Sequence, residues 1–131
     1  MKDTIWVKLV LALAGITGVG IGLSALFWPR AFFASSGTIL GDDISLMSEV
    51  RAPAMVLVLF GGAILGAVVI PGLRKVGLWA AAMLYLSYGM GRVVSVVLDG
   101  VPHVNILTAL GIELVIGLFC AYILWSHRAP V

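Results

Sequence analysis

The chain of 131 residues has room for one ordinary domain, and 62% of it is hydrophobic while 11% is charged; soluble domains reach roughly 45–50% apolar and about 25% charged. A domain this small has too little interior to hide so much apolar surface, so its solvent is lipid. Composition thereby excludes a cytoplasmic enzyme, a nucleic-acid binder and a disordered tail, and the net charge of +2 matters through its placement along the chain.

Four apolar stretches approach the roughly 20 residues needed to cross about 30 Å of hydrocarbon. Unpaired backbone groups are costly in lipid, so each stretch is predicted to be helical. The first helix is predicted over about residues 9–28. Lys2 and Lys8 precede it, but it is longer than the apolar segment of a signal peptide, roughly 7–15 residues, and reads as a retained span. Gly18 and Gly22 are spaced GxxxG along it, which permits close approach of another helix.

The connection over residues 29–44 is long. Phe32 and Phe33 beside Arg30 suit a segment lying in the outer interface, which Ser35-Ser36-Gly37 would end. Asp42 or Asp43 then supplies an N-cap for a second helix, predicted over 45–70. Pro53 inside that helix removes the hydrogen bond to the carbonyl of Glu49, so a kink or a freed acceptor is expected beside Glu49 and Arg51. Those two side chains are about 200° apart around the helix and meet different neighbours. Gly62 and Gly66 repeat the GxxxG spacing.

Short turns at Pro71-Gly72-Leu73-Arg74-Lys75 and Asp99-Gly100-Val101-Pro102-His103 make the second, third and fourth helices antiparallel neighbours. The third helix, over 76–98, carries Tyr85, Tyr88, Arg92, Ser95 and Asp99 at alternating spacings of three and four, a polar-capable stripe on one face. The fourth, over 104–125, places Glu113, Gly117 and Cys120 on one face. Cys120 is the single cysteine and lies in no CxxC spacing, so it reads as a small packing residue. No cofactor or metal is expected. His103 reads as a solvated turn residue.

Lys2, Lys8, Arg74, Lys75 and Arg128 fall on one side of four crossings, whereas the opposite loops hold Arg30 with Asp42, Asp43 and Asp99. The positive-inside rule makes both termini cytoplasmic. Trp6, Trp28, Trp79 and Trp125 sit near the predicted ends, where amphipathic rings favour the headgroup layer.

The informative residues are the ionisable ones in or beside the spans: Glu49, Arg51, Arg92, Asp99 and Glu113. An ion in the bilayer costs several kcal/mol unless it is paired or wetted. Helical rise puts Arg92 about 10 Å below Asp99 and Glu113 about 13 Å below Val104, nearly level on neighbouring helices in the outer half. Three carboxylates against two arginines leave one surplus negative charge. Either Asp99 is hydrated at the surface, or a carboxyl holds a proton, or a cation sits nearby; Glu113, the deepest, is the candidate for proton exchange.

Three readings of this cluster stand side by side. Buried Arg and Glu often only fix helix packing and register. A polar site for a small ligand or ion is the second reading, and catalysis the third, although no HExxH and no nucleophile with its base are evident. A small transporter or proton-coupled carrier using Glu113 and Arg92 is the competing function class, but the inner halves of the spans, Leu57–Ile70 and Leu114–Leu124, are almost wholly apolar. The GxxxG surfaces leave open self-association or docking as a subunit of a larger membrane complex.

Glu49-Val50-Arg51, the run Gly91-Arg92-Val93-Val94-Ser95 continuing to Asp99-Gly100-Val101-Pro102, and Glu113 with Gly117 together resemble the bacterial family of small four-helix membrane proteins known as domain of unknown function 4345. The resemblance implies the four-helix topology and a role for those polar positions; it implies no reaction. The resulting expectation is a single-domain, all-α integral membrane four-helix bundle over 1–131 in the bacterial inner membrane, up-down in topology, with the bilayer, a small ligand and other membrane chains as partners.

Overall fold

The computed structural model describes residues 5–127. Its helices are α1 (Ile5–Phe27), α2 (Pro29–Ala34), α3 (Ile44–Val69), α4 (Arg74–Asp99) and α5 (Val104–Ser126), with one 3-10 turn, Pro71–Leu73, between α3 and α4. No strand occurs among the described residues. Ile5–Phe27, Ile44–Val69, Pro71–Asp99 and Val104–Ser126 are each long and apolar enough to cross a membrane. Lys2 and Arg128, which contribute to the charge pattern, lie outside the described residues.

Local chemistry sets the helix ends. Pro29 occupies the first turn of α2, where its missing N–H is no loss. Gly37, with φ of 76°, adopts a left-handed conformation that closes the turn after α2. Of the two candidate caps, Asp43 is the one used: its carboxylate accepts from the N–H of Ser45 at 2.8 Å and of Leu46 at 3.4 Å, satisfying donors that have no partner within α3. Pro53 lies inside α3, which continues as a helix on both sides of it, although the proline has no N–H to donate to the Glu49 carbonyl. His103 is not merely a solvated turn residue. It occupies the N-cap of α5, and its Nδ1 accepts from the N–H of Asn105 at 3.1 Å.

Glycines bring the helices together. A Cβ on Gly18 would stand 3.4 Å from Gly61, and one on Gly22 would stand 2.8 Å from the Ala54 carbonyl, so α1 and α3 touch backbone to backbone. The α3 glycine in this seam is Gly61, whose added Cβ would meet the Val19 nitrogen at 2.7 Å; Gly62 and Gly66 face open space. The expectation that Gly62 and Gly66 pack the bundle is corrected accordingly. At 100° per residue, the neighbouring position carries the contact instead. Gly89 against Leu114 and Gly117 against Leu86 form the corresponding seam between α4 and α5.

The two helix pairs join in one half of the molecule. Leu11, Ala67 and Gly77 converge there, and Val7, Leu11, Ile64, Leu78 and Cys120 are the largest fully buried side chains. Arg74 starts α4 at this end, two residues before the expected boundary, and is buried, donating to the Val68 carbonyl at 3.2 Å. A guanidinium at the last turn of α3 complements its exposed carbonyls. The outward faces carry large apolar groups such as Ile16, Val97 and Val115, a surface suited to acyl chains and not to water.

Candidate functional site

In the half opposite the packed core, the α1/α3 and α4/α5 pairs border a partly open cavity of about 560 Å³. Its walls come from Thr17 to Ala25 of α1, Val50 to Leu57 of α3, Leu84 to Arg92 of α4 and Asn105 to Glu113 of α5, with Phe32, Phe33 and Ser35 to Thr38 completing it. The two phenylalanine rings meet edge to face at 5.4 Å. They line the cavity. The α2–α3 connection is tied down by Asn105, whose Nδ2 donates to the Ser35 carbonyl at 2.6 Å, and by an exposed ion pair of Arg30 with Asp42 at 3.2 Å.

The structure brings Arg92 and Glu113 together. Nε of Arg92 donates to Glu113 Oε2 at 2.8 Å and to Oε1 at 3.1 Å. Glu113 is buried and Arg92 is 32% exposed at its side chain. The guanidinium also lies 6.0 Å from the centre of the Tyr88 ring, within reach of a cation–π attraction. One turn deeper, the buried Tyr85 hydroxyl donates to the Ala14 carbonyl and so links α4 to α1. Glu113, Gly117 and Cys120 are all buried on one face of α5.

The remaining sequence candidates lie elsewhere. Ser95 is exposed and lines a separate groove of about 530 Å³ between α4 and α5, which Ser87, Tyr88 and Arg92 share. Asp99 is exposed at the last residue of α4. A stripe spaced three and four repeats every 3.5 residues, so it drifts about 40° around an ideal helix over two heptads. Exposure rises from the buried Tyr85 to Asp99 chiefly because the last turns of α4 are exposed on most faces, Val93, Val94, Val97 and Leu98 included. Glu49 is exposed, and Arg51 donates from Nε to the Leu26 carbonyl at 3.0 Å, capping α1. The five ionisable residues are therefore not one cluster. The supposed surplus negative charge reduces to exposed carboxylates at Glu49 and Asp99, plus one paired carboxylate at Glu113.

Sequence reasoning missed Thr17, Asn105 and Thr108 as cavity residues, and Arg74 as a buried one. Asn105 carried a usable signal: an amide in the first turn of an apolar helix is free to reach back to a preceding loop. No group of three or more His, Cys, Asp or Glu side chains suited to a metal ion occurs among the described residues.

A model of the family described as a domain of unknown function, DUF4345, matches residues 6–124. The chain belongs to the DUF4345 family. No curated protein and no solved structure matches it. Within this DUF4345 chain the matched stretch takes in every residue of the cavity and of the Arg92–Glu113 pair.

Proposed function

We propose that this protein is a non-enzymatic polytopic protein of the bacterial inner membrane, with four spans in alternating directions, both termini cytoplasmic, and a ligand-binding cavity in the periplasmic half. The Arg92–Glu113 pair holds α4 and α5 in register beside that cavity. The observation that carries the reading is the cavity itself: about 560 Å³ lies within the roughly 300–1,000 Å³ of small-molecule sites, and apolar walls with a few convergent polar groups are the usual composition of such sites. The orientation is supported by Lys8, Arg74 and Lys75 near the packed end, against Asp42, Asp43 and Asp99 near the cavity end. The dry core between the cavity and the packed end supports binding over passage through the bundle.

Native mass measurement after mild extraction tests this reading. The wild-type chain is expected to carry a non-protein mass that Ala109→Trp, which fills the cavity, no longer retains while its helix content stays the same. Equal non-protein mass retained by the two chains would overturn the reading. A second reading, self-association or docking onto a larger membrane complex, is favoured by the open faces at Gly62 and Gly66. In that case Gly66→Leu lowers the mass of the extracted particle.

A further inference from the structure

The donors left over at the ion pair identify the ligand. A guanidinium carries five N–H groups in a fixed planar fork. Glu113 engages only the one on Nε, with both of its oxygens. The four N–H groups on Nη1 and Nη2 of Arg92 donate to no acceptor among the described residues. Charged donors without acceptors are unfavourable where water is scarce. Arg92 lines both the cavity and the neighbouring groove, so its side chain lies between the two spaces.

The carboxylate charge is already matched by a cation. Glu113 is the sole carboxylate among the cavity-lining residues described, and both of its oxygens are occupied by Arg92. A cationic ligand would meet a guanidinium and no available anion. An anionic ligand would meet a fork suited to two parallel N–H···O bonds, the geometry that carboxylate and phosphate share. Away from Arg92 the lining includes Ile21, Phe32, Leu57, Leu84 and Ile112 beside the hydroxyls of Thr17 and Thr108; the apolar groups would bury a hydrocarbon body, and a bare inorganic ion would gain nothing from them.

Building on the ligand-cavity reading above, we infer that the cavity takes an anionic amphiphile, with a carboxylate or phosphate headgroup on the Nη edge of Arg92 and its hydrocarbon part against the apolar walls. Glu113 then has a second effect. It positions the guanidinium through Nε and also repels the headgroup, so it sets the affinity as well as the register.

The test is saturable binding to the full chain in lipid nanodiscs, measured above empty nanodiscs. The probes are decanoate, decyl phosphate, decanol, acetate and inorganic phosphate. Decanoate or decyl phosphate is expected to bind about tenfold or more tighter than decanol, the worth of one charge-assisted hydrogen bond, with whichever of the two is preferred naming the headgroup. Acetate and inorganic phosphate are expected not to bind. Arg92→Gln removes the preference for the anions and leaves decanol unchanged. Glu113→Gln, which keeps the side-chain shape and removes the repelling charge, tightens anion binding several-fold. Should Arg92→Gln fail to fold, Glu113→Gln alone decides: unchanged or weaker anion binding overturns the inference. Equal binding of decanol and decanoate overturns the headgroup assignment and leaves the cavity reading standing. No saturable binding of any probe overturns both, whereas binding of acetate or inorganic phosphate as tight as that of the amphiphiles overturns the amphiphile assignment alone.

Discussion

Both carboxylate oxygens of Glu113 face the single Nε of Arg92, at 2.8 and 3.1 Å, so one nitrogen carries this polar link between α4 and α5. The link is directional as well as electrostatic. In a medium of low dielectric, such a pair is costly to assemble and much more costly to break on one side. Arg92→Met or Glu113→Leu alone is expected to lower stability by about 3–5 kcal/mol. The double variant is expected to lose clearly less than the sum, because no charge is left without its partner. Reversible unfolding in mixed micelles measures all three, and strictly additive losses would show that the two groups do not interact.

The glycine seams make a prediction about neighbouring residues. Gly61→Val drives a side chain into the Val19 backbone, whereas Gly62→Val points into open space. Overpacking of that kind costs about 1–3 kcal/mol or more, so the first variant is expected to unfold at lower denaturant than wild type. The second is expected to stay within about 0.5 kcal/mol, the range of substitutions that touch nothing. The same unfolding assay checks both, and reversed effects would place the wrong glycine in the seam.

Arg51 makes its contact across 25 positions of sequence, to the Leu26 carbonyl near the end of α1. A cation at a helix C-terminus is worth about 0.3–1 kcal/mol. Arg51→Leu is therefore expected to speed amide hydrogen exchange in the last turn of α1 while leaving that of α4 and α5 unchanged. Uniform acceleration across all helices would assign Arg51 a wider role.

Orientation is testable with cysteines because Cys120, the sole native thiol, is buried and should not react. Gly41 and Gly72 are exposed in the two connections, and a Cβ at either meets nothing within 4 Å. In right-side-out vesicles a membrane-impermeant maleimide is expected to label Gly41→Cys and to label Gly72→Cys only after lysis. The opposite pattern would invert the proposed topology.

Most of the architecture was legible because lipid forces regular helices and apolar length counts the spans. The ends were less so. Backbone hydrogen bonding carries α1 back to Ile5 and α4 back to Arg74, past the apolar runs that mark them in sequence. The nearly equal depths of Arg92 and Glu113 followed from helical rise, and their contact agrees with that arithmetic. Glu49, Arg51 and Asp99 share the same end of the bundle, but depth does not fix azimuth. Arg51 reaches across to the Leu26 carbonyl of α1, and Asp99 ends a last turn of α4 that is exposed on most faces. The cavity itself was invisible in sequence, since it arises where two helix pairs stand apart, and no local pattern records a separation between helices.

The most direct test is an experimental density map of the full chain in lipid nanodiscs. The account predicts elongated non-protein density in the cavity, ending within hydrogen-bonding distance of Arg92 Nη1 or Nη2, with Glu113 still on Nε. A map in which α3 closes against α5 and the Arg92 side chain turns out toward the acyl chains would contradict it.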